Sequence, residues 1–228
     1  MAANYNKHIT ENDVFHAKNR GRVIDSWASI YDIVNYFVNM MFGGENKFRK
    51  DIVSMARLEE VKSVLDVGCG TGRLTLEIAR LLPSGGRVIG MDAGGKMVTL
   101  ARNKRQIPEK QINFLQVSAE NIAFTDETFD CVYNVFLLHH LPMELKLVAI
   151  NEMYRVLKKE GVLVMVDVDR PSNLLGWLIG LTRFYVKEIR DNMKTPLCLL
   201  LSNAGFKDVS VVKKKWGIFS YIHATKTV

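Results

Sequence analysis

A short run of residues, DVGCGTG from Asp66 to Gly72, combines an acid with three closely spaced glycines. Glycine lets the backbone turn tightly and approach a ligand, and a helix that starts after such a turn offers unpaired N–H groups to it. The spacing is GxGxG, whereas the dinucleotide-binding fingerprint is GxGxxG. An acid beside the turn would repel a pyrophosphate, but it suits a cation such as the ammonium of an amino-acid moiety. The run therefore favours a nucleoside ligand that carries a positive charge over a dinucleotide.

A second acid follows at the spacing of a ribose contact. Asp92 ends the apolar stretch RVIGMD, 20 residues after Gly72, about where a carboxylate meets ribose hydroxyls in nucleotide-binding α/β proteins. Two structural alternatives stay open at this point. Asp66 could merely cap the turn, and Asp92 could be the N-cap of a helix predicted from residue 95.

Two histidines, His139 and His140, follow an apolar stretch at residues 130–136. Histidine is the natural general base near neutral pH, so His139 is the candidate for removing a proton from a substrate hydroxyl. The alternative for His139 is a packing role. Cysteines offer no comparable site, because Cys69, Cys131 and Cys198 are too far apart for a disulfide framework or a metal-binding spacing.

Apolar periodicity indicates strands that alternate with helices along most of the chain. Strands are predicted at residues 61–67, 87–91, 112–117, 130–136 and 162–168, and helices at residues 72–82, 95–105 and 143–157. Such alternation implies a parallel, doubly wound sheet. Further helices are predicted from Ser26 to the glycines at 43 and 44 and at residues 48–57, 173–190 and 195–204, with two strands in the C-terminal segment.

Three of these features together resemble the class I S-adenosylmethionine-dependent methyltransferases: DVGCGTG, the position of Asp92, and the segment VSAENIAFTDETFDCVYNVF at residues 117–136. The resemblance implies an α/β fold with a doubly wound, mostly parallel seven-stranded sheet in the order 3-2-1-4-5-7-6, with an antiparallel last hairpin strand. It also implies S-adenosylmethionine as cofactor and S-adenosylhomocysteine as product. We expect one domain, with a helical cap at residues 1–58, the cofactor-binding core at 59–170, and apolar lid helices with a C-terminal hairpin at 171–228.

The resemblance also implies which residues contact the cofactor. The methionine part is expected to contact Asp66, Gly68, Cys69, Gly70 and Thr71. The ribose and adenine are expected to contact Asp92, Ala93, Met97, Ser118, Ala119 and Glu120. Asn134 and Val135 are expected to line the sulfonium side. Ser118 stands where many relatives carry an acid or an asparagine, so Glu120 is the alternative partner for the adenine amino group.

Within that class, the chain resembles the ubiquinone/menaquinone-biosynthesis C-methyltransferases. The resemblance rests on YDIVN at residues 31–35, on the segment AENIAFTDETFDCV and on MYRVLKKEGVLVMVD at residues 153–167. It implies that an N-terminal helix carrying Tyr31 folds over the cofactor, and that the acceptor is a quinol ring carbon. Those enzymes have an Arg-Asn pair where this chain has His139 and His140. Two alternatives are an N-methyltransferase for a phospholipid or small amine, and a cofactor-binding module without turnover.

Composition limits the partners. The 228 residues carry a net charge of +7, with 48% hydrophobic residues, which is ordinary for a globular protein. The N-terminus lacks the apolar region of a signal peptide, and basic residues are scattered apart from Lys213–Lys215, so we expect a cytoplasmic monomer or homodimer that does not bind nucleic acid. The apolar segments Ile30–Phe42 and Leu174–Val186, together with Lys213–Lys215 and the net positive charge, favour a small lipophilic acceptor and peripheral contact with a membrane. The alternative is that these segments pack on the sheet or form a dimer contact.

Overall fold

The computed structural model of the chain describes residues 45–104, 111–183, 190 and 194–227. Tyr31 and the predicted helix between Ser26 and residue 43 lie outside the described residues, as do the last three residues of the predicted segment Leu174–Val186.

The strands of the described chain form a seven-stranded sheet in the order β3-β2-β1-β4-β5-β7-β6. They are β1 Ser63–Val67, β2 Arg87–Asp92, β3 Gln111–Gln116, β4 Phe129–Val135, β5 Leu157–Val168, β6 Lys207–Lys215 and β7 Phe219–Thr225. Strands β1 to β5 pair in parallel, and β7 runs antiparallel to both of its neighbours. The predicted fold class and strand order are confirmed.

Helices cover both faces of this sheet, as a doubly wound fold requires. They are α1 Glu45–Val53, α2 Arg73–Leu81, α3 Gly95–Asn103, α4 Met143–Val156, α5 Leu174–Arg183 and α6 Leu197–Asn203. One core cluster joins α1, α2 and α3 to one face, and a second joins α4 and α6 to the other. Strand β1 contributes to both clusters, because Val64 packs in the first and Leu65 and Val67 pack in the second. All five residues of β1 are buried, as in a strand covered on both faces, and they include the polar residues Ser63 and Asp66.

Strand β5 differs from its prediction. It begins at Leu157, five residues before the predicted start at 162. Its first part is polar, Glu160 has a φ of +61°, and the pairing with β4 shifts register between Phe129 and Cys131. An irregularity of this kind breaks the apolar pattern from which a strand is recognised, so the sequence indicated only the regular second part.

Two short 3₁₀ turns were not predicted from the sequence. One 3₁₀ turn, Leu58–Glu60, precedes β1, and a second, Leu138–His140, follows β4. The second turn contains the candidate base, and its chain direction is set by Phe136, which has a φ of +56°. A bulky residue in this region of backbone conformation is uncommon and costs strain energy that the surrounding packing has to offset.

Candidate active site

The predicted site residues gather at the carboxyl ends of the parallel strands. The strand order reverses between β1 and β4, and ligands of open α/β sheets bind outside the strand ends at such a reversal. The glycine turn leaves β1 at this edge, Asp92 ends β2, and Asn134 lies near the end of β4 beside Val67. The fold therefore brings together residues that are far apart in the sequence.

The glycine turn is a tightly fitted piece of backbone. Gly68, Gly70 and Gly72 have φ values of +79°, +53° and +78°, a region in which glycine is not strained. A Cβ atom at Gly72 would lie 2.7 Å from the Phe114 ring. Gly72 is therefore required both by its backbone conformation and by the close approach of α2 to the sheet.

Asp92 ties the glycine turn to the end of β2. Its Oδ2 accepts a hydrogen bond from Gly70 N at 2.9 Å, and its Oδ1 accepts one from Gly94 N at 2.8 Å. Helix α3 begins at Gly95 and has Gly94 at its N-cap position, so Asp92 stabilises the turn before the helix rather than acting as the N-cap. A carboxylate has about four acceptor positions, and a half-buried Asp92 can bind two amides and still accept from hydroxyls.

Asp66 lies beneath the turn, 1% exposed. Thr75 Oγ1, on α2, donates a hydrogen bond of 2.6 Å to Asp66 Oδ2. Burial raises the pKa of this carboxyl to about 7, against the lowering effect of the Thr75 hydrogen bond and with a smaller contribution from the Asp92 charge. Asp66 thus titrates near neutral pH, where a nearby cation would favour its charged form.

Three polar atoms at this edge are buried without a hydrogen-bond partner among the described residues. They are Ser118 Oγ, Glu120 Oε2 and Asn134 Oδ1. The Asn134 side chain is oriented by its Nδ2, which donates to Val67 O at 3.0 Å. The segment that carries Ser118 and Glu120 is held at the edge because Val117 N donates to Asp92 O at 3.1 Å. Buried polar atoms are nearly always paired, so these three are available to a ligand.

The other predicted cofactor contacts surround the same edge. Buried or partly buried around it are Cys69, Thr71, Ala93, Met97, Ala119 and Val135. Cys69 N donates to Met91 O at 2.9 Å, and burial raises the pKa of the Cys69 thiol well above its ordinary value. That environment suits a small packed residue and not a reactive thiolate.

His139 lies on the 3₁₀ turn after β4 and is 6% exposed. Its Nδ1 lies 2.7 Å from Asp167 Oδ1. Leu137, the residue before this turn, lies against the glycine turn, since a Cβ atom at Gly68 would lie 3.0 Å from Leu137 Cβ. The His140 ring stands 3.9 Å from the His139 ring, centroid to centroid. The candidate base thus follows by two residues in the chain a residue that packs against the candidate cofactor turn.

The sequence analysis did not identify two residues of this arrangement, Thr75 and Asp167. Asp167 is the more informative, because it is an acid in the otherwise apolar stretch VLVMVDV and is fully buried. An isolated acid in a central strand is costly unless it has partners, and that signal could have marked it. Its pairing with a histidine 28 residues earlier could not be read from the sequence.

Comparison with known proteins identifies the family. Residues 64–161 match a family model described as a methyltransferase domain. An uncharacterised methyltransferase of Synechocystis is 33% identical over 189 residues, which cover 81% of this chain and 84% of that protein. A S-adenosylmethionine-dependent methyltransferase of Thermotoga maritima shares the fold, with a TM-score of 0.66 and 23% identity over 90% of this chain and 99% of that chain.

A ubiquinone/menaquinone biosynthesis C-methyltransferase of Marinomonas is 34% identical over 157 residues. The match covers 68% of this chain and 61% of that relative's length. The chain belongs to the class I S-adenosylmethionine-dependent methyltransferases and is similar to the quinone C-methyltransferase type within them. It is an enzyme, and S-adenosylmethionine is its cofactor.

Proposed function

We propose that this enzyme methylates a ring carbon of a small, lipophilic quinol. The observation that carries the proposal is the placement of His139, paired with Asp167, two residues after Leu137, which packs against the glycine turn. We assign His139 as the base for an acceptor hydroxyl that is bound beside that turn. The similarity to quinone C-methyltransferases supports the same acceptor class.

The cofactor contacts follow from the polar atoms at the strand ends. We assign the ribose hydroxyls to Asp92 and the adenine to the segment that carries Ser118 and Glu120, whose buried oxygens have no partner among the described residues. Asn134 Oδ1 is assigned to the side of the reacting methyl group. These orphaned acceptors fit a ligand with an amino group, hydroxyls and a sulfonium, so the residues present suit the cofactor.

The chemistry asked of the protein is modest. The bound cofactor supplies a methyl group that is already activated by its sulfonium. The chain orients the acceptor in line with that group, and His139 accepts the hydroxyl proton of the quinol at Nε2. Loss of that proton makes the adjacent ring carbon electron-rich, and the ring regains aromaticity when that carbon later releases its own proton.

The test uses purified protein, S-adenosylmethionine and a reduced quinone with a short isoprenoid tail. The wild type should form S-adenosylhomocysteine and a C-methylated quinol, and His139→Gln should lower turnover by about 10²-fold or more with cofactor affinity nearly intact. His140→Gln is the matched control and should retain turnover. Normal turnover by His139→Gln at every pH would remove the base from the proposal.

A lipophilic acceptor is supported by helix α5. This helix presents large apolar side chains to solvent: Leu174 at 76% exposure, Leu175 at 49%, Trp177 at 49%, Leu178 at 53% and Leu181 at 56%. It packs on the turn between β6 and β7 through Gly176, where a Cβ atom would lie 2.5 Å from Gly217 O. No helix in the described ranges of the chain is long and apolar enough to cross a membrane.

We propose that this face of α5 contacts the surface of a membrane from which the acceptor is taken. Tryptophan beside leucines suits the interface between headgroups and acyl chains. The basic block Lys213–Lys215 adds attraction to anionic headgroups, although Lys213 also pairs with Asp51.

Co-sedimentation with vesicles of mixed neutral and anionic lipids tests the contact. Binding should be lost in a Trp177→Ser, Leu178→Ser double variant that retains cofactor binding, and wild-type binding should fall as the salt concentration rises. A matched double variant at exposed Leu147 and Val148 of α4 should bind vesicles like the wild type. Absence of wild-type binding, together with turnover of water-soluble acceptors alone, would contradict the proposal.

A further inference from the structure

Asp167 is a buried acid near the carboxyl end of strand β5. It follows the β5 residue Val166, which pairs with Val135 of β4, and its side chain is fully buried. Burying a carboxylate is costly unless hydrogen bonds replace its water shell. The chain nevertheless places one at the strand ends, next to the candidate base.

The Asp167 carboxylate has three hydrogen-bond partners in the described part of the chain. Its Oδ2 accepts from Leu138 N at 2.7 Å, and its Oδ1 accepts from Val168 N at 2.7 Å. The same Oδ1 lies 2.7 Å from His139 Nδ1. Two of these three partners belong to the 3₁₀ turn after β4, so Asp167 fixes both the backbone of that turn and its histidine ring.

The carboxyl group of Asp167 is ionised at neutral pH. Burial opposes ionisation, but the charge that the His139 ring carries when it is protonated and the hydrogen bonds from His139 and from Val168 N outweigh it and hold the pKa of Asp167 below its ordinary value. An ionised carboxylate can only accept hydrogen bonds. The His139 nitrogen that faces it must therefore carry a proton, and in the neutral ring the lone pair is then on Nε2.

We infer that Asp167 is a positioning residue, which holds His139 in the Nδ1–H tautomer and presents Nε2 as the proton acceptor. The inference rests on the proposed function for the identity of the acceptor, but not for the tautomer. A carboxylate bonded to one imidazole nitrogen is a known means of fixing tautomer and ring orientation. The same bond stabilises the imidazolium that forms when Nε2 takes a proton.

The first test is nitrogen-15 NMR of the imidazole rings, which distinguishes the two neutral tautomers without any turnover. The chain has five histidines, and His139→Gln identifies the His139 signals. The wild type should show the Nδ1–H tautomer for His139, and Asp167→Ala should shift it toward the Nε2–H tautomer that free histidine prefers. A wild-type His139 in the Nε2–H form overturns the inference, whatever the acceptor is and whether or not the variant folds.

Asp169 provides a matched control. It is a buried acid directly after β5, two residues beyond Asp167, but its oxygens accept from Leu197 N and Ser220 Oγ and not from His139. Asp169→Ala should therefore leave the His139 tautomer unchanged. A shift of the His139 tautomer as large as that caused by Asp167→Ala would mean that any buried acid here acts through general loosening, and would contradict the inference.

The second test separates positioning from a merely structural role. Asp167→Ala should lower kcat at least tenfold in the wild-type background, with little change in the acceptor KM, because it acts on the base. In the His139→Gln background it should cost no further activity. Equal losses in both backgrounds would assign Asp167 to the fold alone. A different outcome is also distinguishable: His139→Gln turns over normally, while the NMR spectrum of the wild type shows the Nδ1–H tautomer. In that case the proposed function is wrong and the tautomer assignment stands.

Discussion

The titration of Asp66 gives a quantitative prediction. The carboxyl is 1% exposed, and burial raises its pKa from 3.8 to about 7. Between those two values the folded chain holds a proton that the unfolded chain has released. The free energy of unfolding should therefore fall as pH rises from about 4 to about 7 and then level off.

The size of this effect follows from the shift itself. Each pKa unit corresponds to about 1.4 kcal/mol, so the ionisation of Asp66 should cost about 4 kcal/mol of stability by pH 8. Asp66→Asn removes the titration and leaves an amide oxygen that can accept the Thr75 hydroxyl. The variant should gain about 4 kcal/mol relative to the wild type between pH 4 and pH 8.

Urea unfolding of both proteins at unit intervals from pH 4 to pH 8, without cofactor, measures the difference. Other titrating groups are common to both proteins and cancel. Thr75→Val is the matched variant, because it removes the hydrogen bond that lowers the pKa of Asp66. In this variant the free energy of unfolding should therefore continue to fall to a higher pH than in the wild type. Unfolding free energies of wild type and Asp66→Asn that stay parallel over this range would show that Asp66 does not titrate between these pH values in the folded protein. Saturating S-adenosylmethionine should move this fall in the wild type to lower pH, if Asp66 lies near the cofactor's ammonium as predicted.

Two further predictions concern the glycine turn. Asp92→Ala should weaken S-adenosylmethionine binding more than tenfold in calorimetric titrations, because charged hydrogen bonds of about 1.5–3 kcal/mol are lost; unchanged affinity in a folded variant would remove the ribose assignment. Gly72→Ala should destabilise the protein by about 1–3 kcal/mol more than Gly85→Ala in thermal or urea unfolding, since both glycines have nearly the same positive φ but a Cβ atom would contact Phe114 only at residue 72. Equal losses for the two glycine variants would show that packing at the turn is not limiting.

The regular parts of the fold were predictable from the sequence. Alternating apolar strands and helices mark the parallel sheet, and strands β1 to β4 begin and end within about two residues of their predicted bounds. The order of the strands is not contained in periodicity and came from the resemblance. Strand β5 was predicted five residues short, because its polar, irregular start does not follow the pattern of a buried strand.

The site was predictable to the extent that single residues mark it. Gly70 and Asp92 could be named from their spacing, and the structure joins them by a hydrogen bond. Their contacts with the cofactor stay predictions. The Asp167–His139 pair was not predictable, because it depends on how two strand ends lie side by side. The exposure of the apolar residues of α5 was also not predictable from the sequence, because a helix with apolar residues on several sides is equally suited to a buried position.

Methyl transfer from carbon-13-labelled S-adenosylmethionine shows which atom of which acceptor the enzyme methylates. The full chain is incubated with a reduced isoprenoid quinone, a phospholipid amine and a small water-soluble amine, and the products are identified by mass spectrometry and carbon-13 NMR. We expect a labelled methyl group on a ring carbon of the quinol and stoichiometric S-adenosylhomocysteine. A labelled methyl group on nitrogen, or cofactor binding with no methylated product from any of the three acceptors, would contradict it.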